Sequence, residues 1–108
     1  MAAITNVTVN DIQAVVNVKA TAGVLHDVVI VNSTATSYYI QIFDLASGSV
    51  TLGTTTPDLQ FYVTLNSTFH WSPPEGMPFP VAISVGSSTT HNGATTAATG
   101  LCGYFFYS

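Results

Sequence analysis

Charge is nearly missing from this chain. Charged residues make up 6% of its 108 positions, against about a quarter in ordinary soluble domains. A single cation, Lys19, stands against Asp11, Asp27, Asp44, Asp58 and Glu75, which leaves a net charge of −4. Proteins that hold nucleic acid place several Lys or Arg side chains near phosphates, so nucleic acid is discarded as a direct partner. An anionic membrane surface is discarded on the same ground. Cysteine is equally scarce: Cys102 is the only one, so no intrachain disulfide forms. Its setting, GLCGYFFY, reads as a small buried side chain on a last strand rather than a reactive thiol. No apolar run approaches the ~20 residues that cross a bilayer. Nor does a cationic, apolar and small-residue leader open the sequence, because MAAITNVTVN already alternates; synthesis in a cytoplasm is the expectation.

What the chain has instead is β vocabulary and hydroxyls. With so few charges, its polar surface must be built from Thr, Ser, Asn and Gln, which hydrogen-bond without a strong field and suit burial in an assembly. Ile4 to Val9 alternates and reads as a short edge strand, and Asn10-Asp11 reads as a turn. Ile12 to Ala20 reads as a second strand with Ala14, Val16 and Val18 on one face. An amphipathic helix capped by Asp11 competes there, and β-branching favours the strand. Val24 to Asn32 and Tyr38 to Leu45 are strands joined by the small polar run Ser33 to Ser37, which predicts a β-hairpin. Both faces of its second strand are apolar, so a covering sheet or subunit is expected on each side.

Further along, Ala46 to Ser49 is a turn and Val50 to Leu52 a possible short strand. Leu59, Phe61, Val63 and Leu65 line one face of the cleanest two-residue period in the chain. Ser72 to Pro78 predicts a rigid loop, and Phe79, Val81, Ile83 and Val85 another alternating strand, with Pro80 at an edge or bulge. Gly86 to Gly100 predicts a flexible Thr- and Gly-rich loop or arm. Leu101 to Tyr107 closes the chain as a strand with aromatics on both faces. The whole is one all-β domain over residues 1–108 with a short N-terminal edge segment (1–11), predicting an antiparallel β-sandwich.

Chemistry finds little purchase. His26, His70 and His91 beside Asp27 match no zinc spacing, and strand geometry puts His26 and Asp27 on opposite faces. A symmetric trimer could still gather one His from each copy. No Gly-x-Ser-x-Gly elbow occurs, the five acids are scattered, and no Gly-rich phosphate cradle opens a helix. The expectation is therefore a non-enzymatic protein with no metal and no cofactor. Aromatics carry the remaining signal. Trp71 near Phe69 and the Pro73-Pro74 loop reads as core, as an interface anchor, or as a sugar-stacking platform.

Taken in order, VLHDVVIVN, YYIQIFD, GTTTP, LQFYVTL, PFPVAISVGSSTT and a closing aromatic strand resemble small structural proteins of tailed bacteriophages. The resemblance runs from about Gly23 to the end. Pro78 and Pro80 stand where the related sequences carry more pliable residues. The resemblance implies a jelly-roll version of the sandwich. It also implies a virion part, such as a capsid decoration or cement protein or a small tail component, and not an enzyme; the leading expectation is a decoration protein on the outer capsid surface that bridges subunits of the major capsid protein. A homo-oligomer is expected with it, a trimer favoured. Candidate subunit or capsid contacts are Tyr38, Tyr39, Phe69, Trp71, Tyr104 and Tyr107. The alternative is a receptor- or glycan-binding domain of a phage tail or fibre.

Overall fold

A computed structural model describes residues 3–94 and 99–108. Its strands are β1 (Thr5–Val9), β2 (Val16–Lys19), β3 (Gly23–Asn32), β4 (Tyr38–Phe43), β5 (Leu59–Val63), β6 (Ser67–Trp71), β7 (Met77–Phe79), β8 (Ile83–Ser88) and β9 (Leu101–Tyr107). One 3-10 turn, Ser47–Ser49, is the only helical element among the described residues. The strands form two antiparallel sheets. The first runs β1-β9-β3-β6 with β7 also on β3, and the second runs β2-β8-β4-β5. All-β, two-layered and wound so that the chain repeatedly changes sheet, this is the expected sandwich with a jelly-roll strand order.

The hairpin expected at Ser33 to Ser37 is not there. β3 lies in the first sheet and β4 in the second, so the small polar run is a crossover between layers. Asn32 makes that corner. Its buried amide donates to the carbonyls of Thr36, Val63 and Thr64, while its oxygen accepts from the Thr34 hydroxyl and N–H. A polar side chain at the last position of an apolar strand thereby satisfies the backbone of two connections at once. The hairpin partner of β4 is β5, with Tyr38 opposite Val63 and Ile42 opposite Leu59.

The alternation from Phe79 to Val85 is likewise split. β7 pairs with β3 in the first sheet, β8 pairs with β2 and β4 in the second, and the chain changes layer between Pro80 and Ala82. Asp44 holds the crossing, its carboxylate accepting from the N–H groups of Val81 and Ala82. Proline thus sits where a ladder hydrogen bond is not needed. Four smaller expectations also change. Ile12 to Ala20 contributes a strand only from Val16, with a bulge between Asn17 and Lys19, and Val16 and Ala14 are exposed while Ile12 is buried. Val50 to Leu52 is not a strand, and Leu65 is exposed beyond the end of β5. Gly86 to Ser88 belongs to β8, so the loop starts at Thr89; residues 95–98 of the expected flexible segment lie outside the described residues.

Between the layers, Leu25, Val28 and Ile30 of β3, Ile40 and Ile42 of β4, and Phe105 of β9 form a core with no exposure. Gly103 is part of this packing although it has no side chain. The Phe105 ring and the Ile12 side chain occupy the volume a β-carbon there would need, at 2.6 and 2.7 Å.

Candidate functional site

The two sheets present unlike outer faces. Register places Thr8, Tyr104, Val29 and His70 in one row across the outside of the first sheet. The neighbouring rows are Cys102, Val31 and Thr68 on one side, and Asn6, Phe106 and Asp27 on the other. Val29, Val31, Cys102, Tyr104 and Phe106 therefore make a contiguous apolar stripe on the outside of the first sheet, half-buried apart from the exposed Tyr104. One polar pair borders it, the His70 ring nitrogen lying 2.5 Å from an Asp27 carboxylate oxygen.

Outside the second sheet the situation is reversed. Gln41, Phe43, Ser84, Gly86 and Ser88 point outward and yet are fully buried, because loops of the same chain roof them. Ser47 N–H donates to Asn17, Ser84 hydroxyl donates to the Leu45 carbonyl, and Leu52 and Val15 lie over Gly86. Farther along, Gly93 carbonyl accepts from the Gln41 amide, and Asn92 and Gln60 exchange two hydrogen bonds of 2.9 Å. The two apolar faces expected on β4 are real, and the cover on the outer one is the chain's own 44–58 and 89–94 segments.

The six aromatic candidates do not come together. Tyr38 is a core residue, 6% exposed, so its reading as a contact for a partner is corrected. An inward position opposite Val63 explains it. Phe69 and Trp71 face inward from β6 and pack on Phe61 of β5, with ring centroids 4.9 and 5.3 Å apart. They close the open side of the sandwich between the two sheets, half-buried. Tyr107 caps one end of the core beneath Lys19, whose ammonium lies 5.6 Å from the ring centroid. Tyr39 is outward on β4, half-buried between Tyr62 and His91. Tyr104 alone stands on the bare face, 36% exposed.

Cys102 is also corrected. It sits half-buried on the outside of β9, two residues from Tyr104 and on the same face, instead of inside the core. A hydrogen bond with the Cys102 side chain and the charge of its thiolate raise the Tyr104 phenol above its ordinary pKa, with desolvation adding to them. Sequence reasoning did not single out Val29, Val31 and Phe106, because only the strand order shows which members of their two apolar runs face out.

His26 bonds the Ser108 hydroxyl at 2.8 Å, His70 bonds Asp27, and His91 contacts Tyr39, so the three histidines are dispersed. Among the described residues no group of three or more His, Cys, Asp or Glu side chains is placed to hold a metal. An open recess of about 330 Å³ lies at the end of the first sheet, lined by Val31, Asn32, Ser33, Asn66, Ser67 and Thr68. Its Asn32, Ser33 and Ser67 side chains are committed to backbone carbonyls. No described helix is long and apolar enough to cross a membrane.

Comparison with known proteins adds little. No family model and no curated protein matches the chain. Among solved structures it is similar to the crystal structure of PirA, at 19% identity and a TM-score of 0.44, over 98% of this chain and 94% of that one, a likeness too distant to bear on function.

Proposed function

We propose that the protein is a non-enzymatic virion structural protein of a tailed bacteriophage. In this reading it is a capsid decoration or cement protein that binds the outer surface of the head and braces neighbouring subunits of the major capsid protein. The resemblance described above motivates it. The observation that carries it is the contrast between the sheets: the chain roofs one with its own loops and leaves an apolar stripe of Val29, Val31, Cys102, Tyr104 and Phe106 on the other.

Four strands about 4.8 Å apart, of five, seven, ten and five residues at about 3.4 Å each, give that face a projected area of roughly 440 Å². A stable interface needs about 800 Å² per partner. One face-to-face contact of this size is therefore too small, and a ring of copies that each touch capsid and neighbour supplies the rest. That arithmetic favours a closed oligomer such as a trimer over a lone docked copy. With one cation in the chain, the contact holds by apolar burial at about 25 cal/mol per Å² and not by ion pairs.

The test is solution mass by light scattering at low and high salt, followed by co-sedimentation with heads assembled from the cognate major capsid protein. A trimer and head binding that both persist to roughly 1 M salt are expected, since screening there acts within about 3 Å. A monomer that fails to sediment with heads, or one released by moderate salt, would overturn the reading.

A further inference from the structure

On the second sheet, at the edge away from Lys19, the geometry points to a binding site for a neutral saccharide, centred on Tyr62. Tyr62 lies on β5, the edge strand of that sheet, and at 54% it is the most exposed aromatic residue described. Tyr39, directly opposite on β4, supports it with ring centroids 4.9 Å apart, and His91 stands edge-on to Tyr39 at 5.6 Å. A ring held upright from behind and open in front is a stacking surface for the C–H face of a pyranose.

The surroundings supply the rest of what a sugar requires. Asn92 takes a left-handed backbone conformation, φ 53°, which is uncommon for a residue with a β-carbon. Gln60 holds it there by bonding both the Asn92 N–H and its side-chain oxygen, each at 2.9 Å. This clamp commits one half of the Asn92 amide and leaves the NH2 half without a partner among the described residues. The Tyr39 and Tyr62 hydroxyls and the His91 ring nitrogens make no hydrogen bond among the described residues either. The pair's own two phenols, with the His91 imidazole and the Asn92 amide beside it, are thus all able to meet hydroxyls.

Charge selects the class of ligand. No Lys or Arg lies at this edge, the single cation being on β2 at the opposite side of the sheet. Sulfated, phosphorylated or uronic saccharides would find no strong counter-charge, so an uncharged hexose chain is the fitting ligand. The site does not depend on the capsid reading, because it lies on the other sheet from the bare stripe. It also differs from the platform expected at Trp71, which is packed against Phe61.

The full chain should be titrated with a panel of neutral oligosaccharides built from glucose, galactose and mannose, each up to about 10 mM, a range that reaches affinities weaker than 1 mM. Saturation-transfer NMR gives the readout. Binding by at least one member is expected, with Tyr62→Ala weakening it about tenfold or more. Tyr62→Phe should keep most of the affinity, Asn92→Gly should lose part of it without straining the loop, and Tyr104→Ala on the other sheet should lose none. Unchanged melting temperatures separate these effects from misfolding. Silence across the whole panel, or binding that survives Tyr62→Ala, overturns the site.

Discussion

Replacing Asn32 should do more damage than any other single polar substitution in this fold. Its side chain is 1% exposed. The amide nitrogen lies 2.9 Å from the Thr36 carbonyl, 3.2 Å from that of Thr64 and 3.3 Å from that of Val63, while the oxygen accepts from Thr34 at 2.7 and 3.0 Å. Two hydrogens serve three acceptors, so one bond is shared and the group counts as about four interactions. Each contributes roughly 0.5–1.5 kcal/mol, and a buried carbonyl left bare costs about 1–3 kcal/mol. Asn32→Ala should therefore lose about 3–5 kcal/mol, a fall in melting temperature of roughly 15–30 °C for a domain near this size. Asn32→Asp separates hydrogen bonding from packing. It keeps the shape, removes the donors and sets a carboxylate against three carbonyl oxygens, which raises its folded pKa above the unfolded value of about 3.9. Below that value the acid is neutral in both states and the electrostatic penalty vanishes; stability is lost as pH rises from there through the folded pKa. Urea unfolding of both variants at several pH values is the assay. A loss under about 1 kcal/mol for Asn32→Ala, or an Asn32→Asp curve parallel to that of Asn32→Ala, would refute the reasoning, since effects of this kind are its whole basis.

Other variants probe other parts of the molecule. Gly103→Ala should destabilise by about 1–3 kcal/mol in the same unfolding assay, because its β-carbon would meet the Phe105 ring and Ile12 in a full core. Gly76→Ala should also destabilise, measured by thermal melting, since Gly76 has φ 76° and a β-carbon would lie 2.6 Å from Val24. Cys102→Ala should lower the Tyr104 pKa toward its ordinary value, read as tyrosinate absorbance against pH, by removing the hydrogen-bonding and charged sulfur. Val29→Lys should change the stability of the isolated chain by no more than about 0.5 kcal/mol, as surface changes do, while abolishing the oligomer and head binding.

The sequence made the strands legible and hid the layers. Period-two runs such as Leu59 to Val63 and Leu101 to Tyr107 emerge as strands at nearly the expected bounds. What a single strand cannot disclose is which sheet it joins, because an inward Ile looks the same from either layer. Ser33 to Ser37 carries the composition of a hairpin turn, yet the determinant of its crossover is Asn32, whose four partner residues lie up to 32 residues away. Phe79 to Val85 fails for the same reason: its alternation continues straight through a change of sheet, and Val81, counted inward, is exposed. The candidate contacts were legible only as a class. Being aromatic made six residues conspicuous, and topology then assigned Tyr38 to the core, Phe69 and Trp71 to the seam, and Tyr104 to the bare face.

Scarcity of charge and asymmetry of the sheets belong to one argument. A soluble monomer with an uncovered apolar sheet face normally limits association by placing Lys or Glu on that face or its edges. Here the bare face carries Asp27 paired with His70 and no lysine, while the chain's long loops are drawn over the other sheet. Were the loops merely a device for solubility, the sheet with the open Val29, Val31 and Phe106 stripe would be the one to roof. Covering the second sheet instead gives the molecule two unlike outer faces, one carrying the apolar stripe and the other roofed by the chain's own loops. If that polarity is the design, charge placed at Val29 and truncation at Tyr62 will act independently: the first ends assembly and spares sugar binding, the second does the reverse.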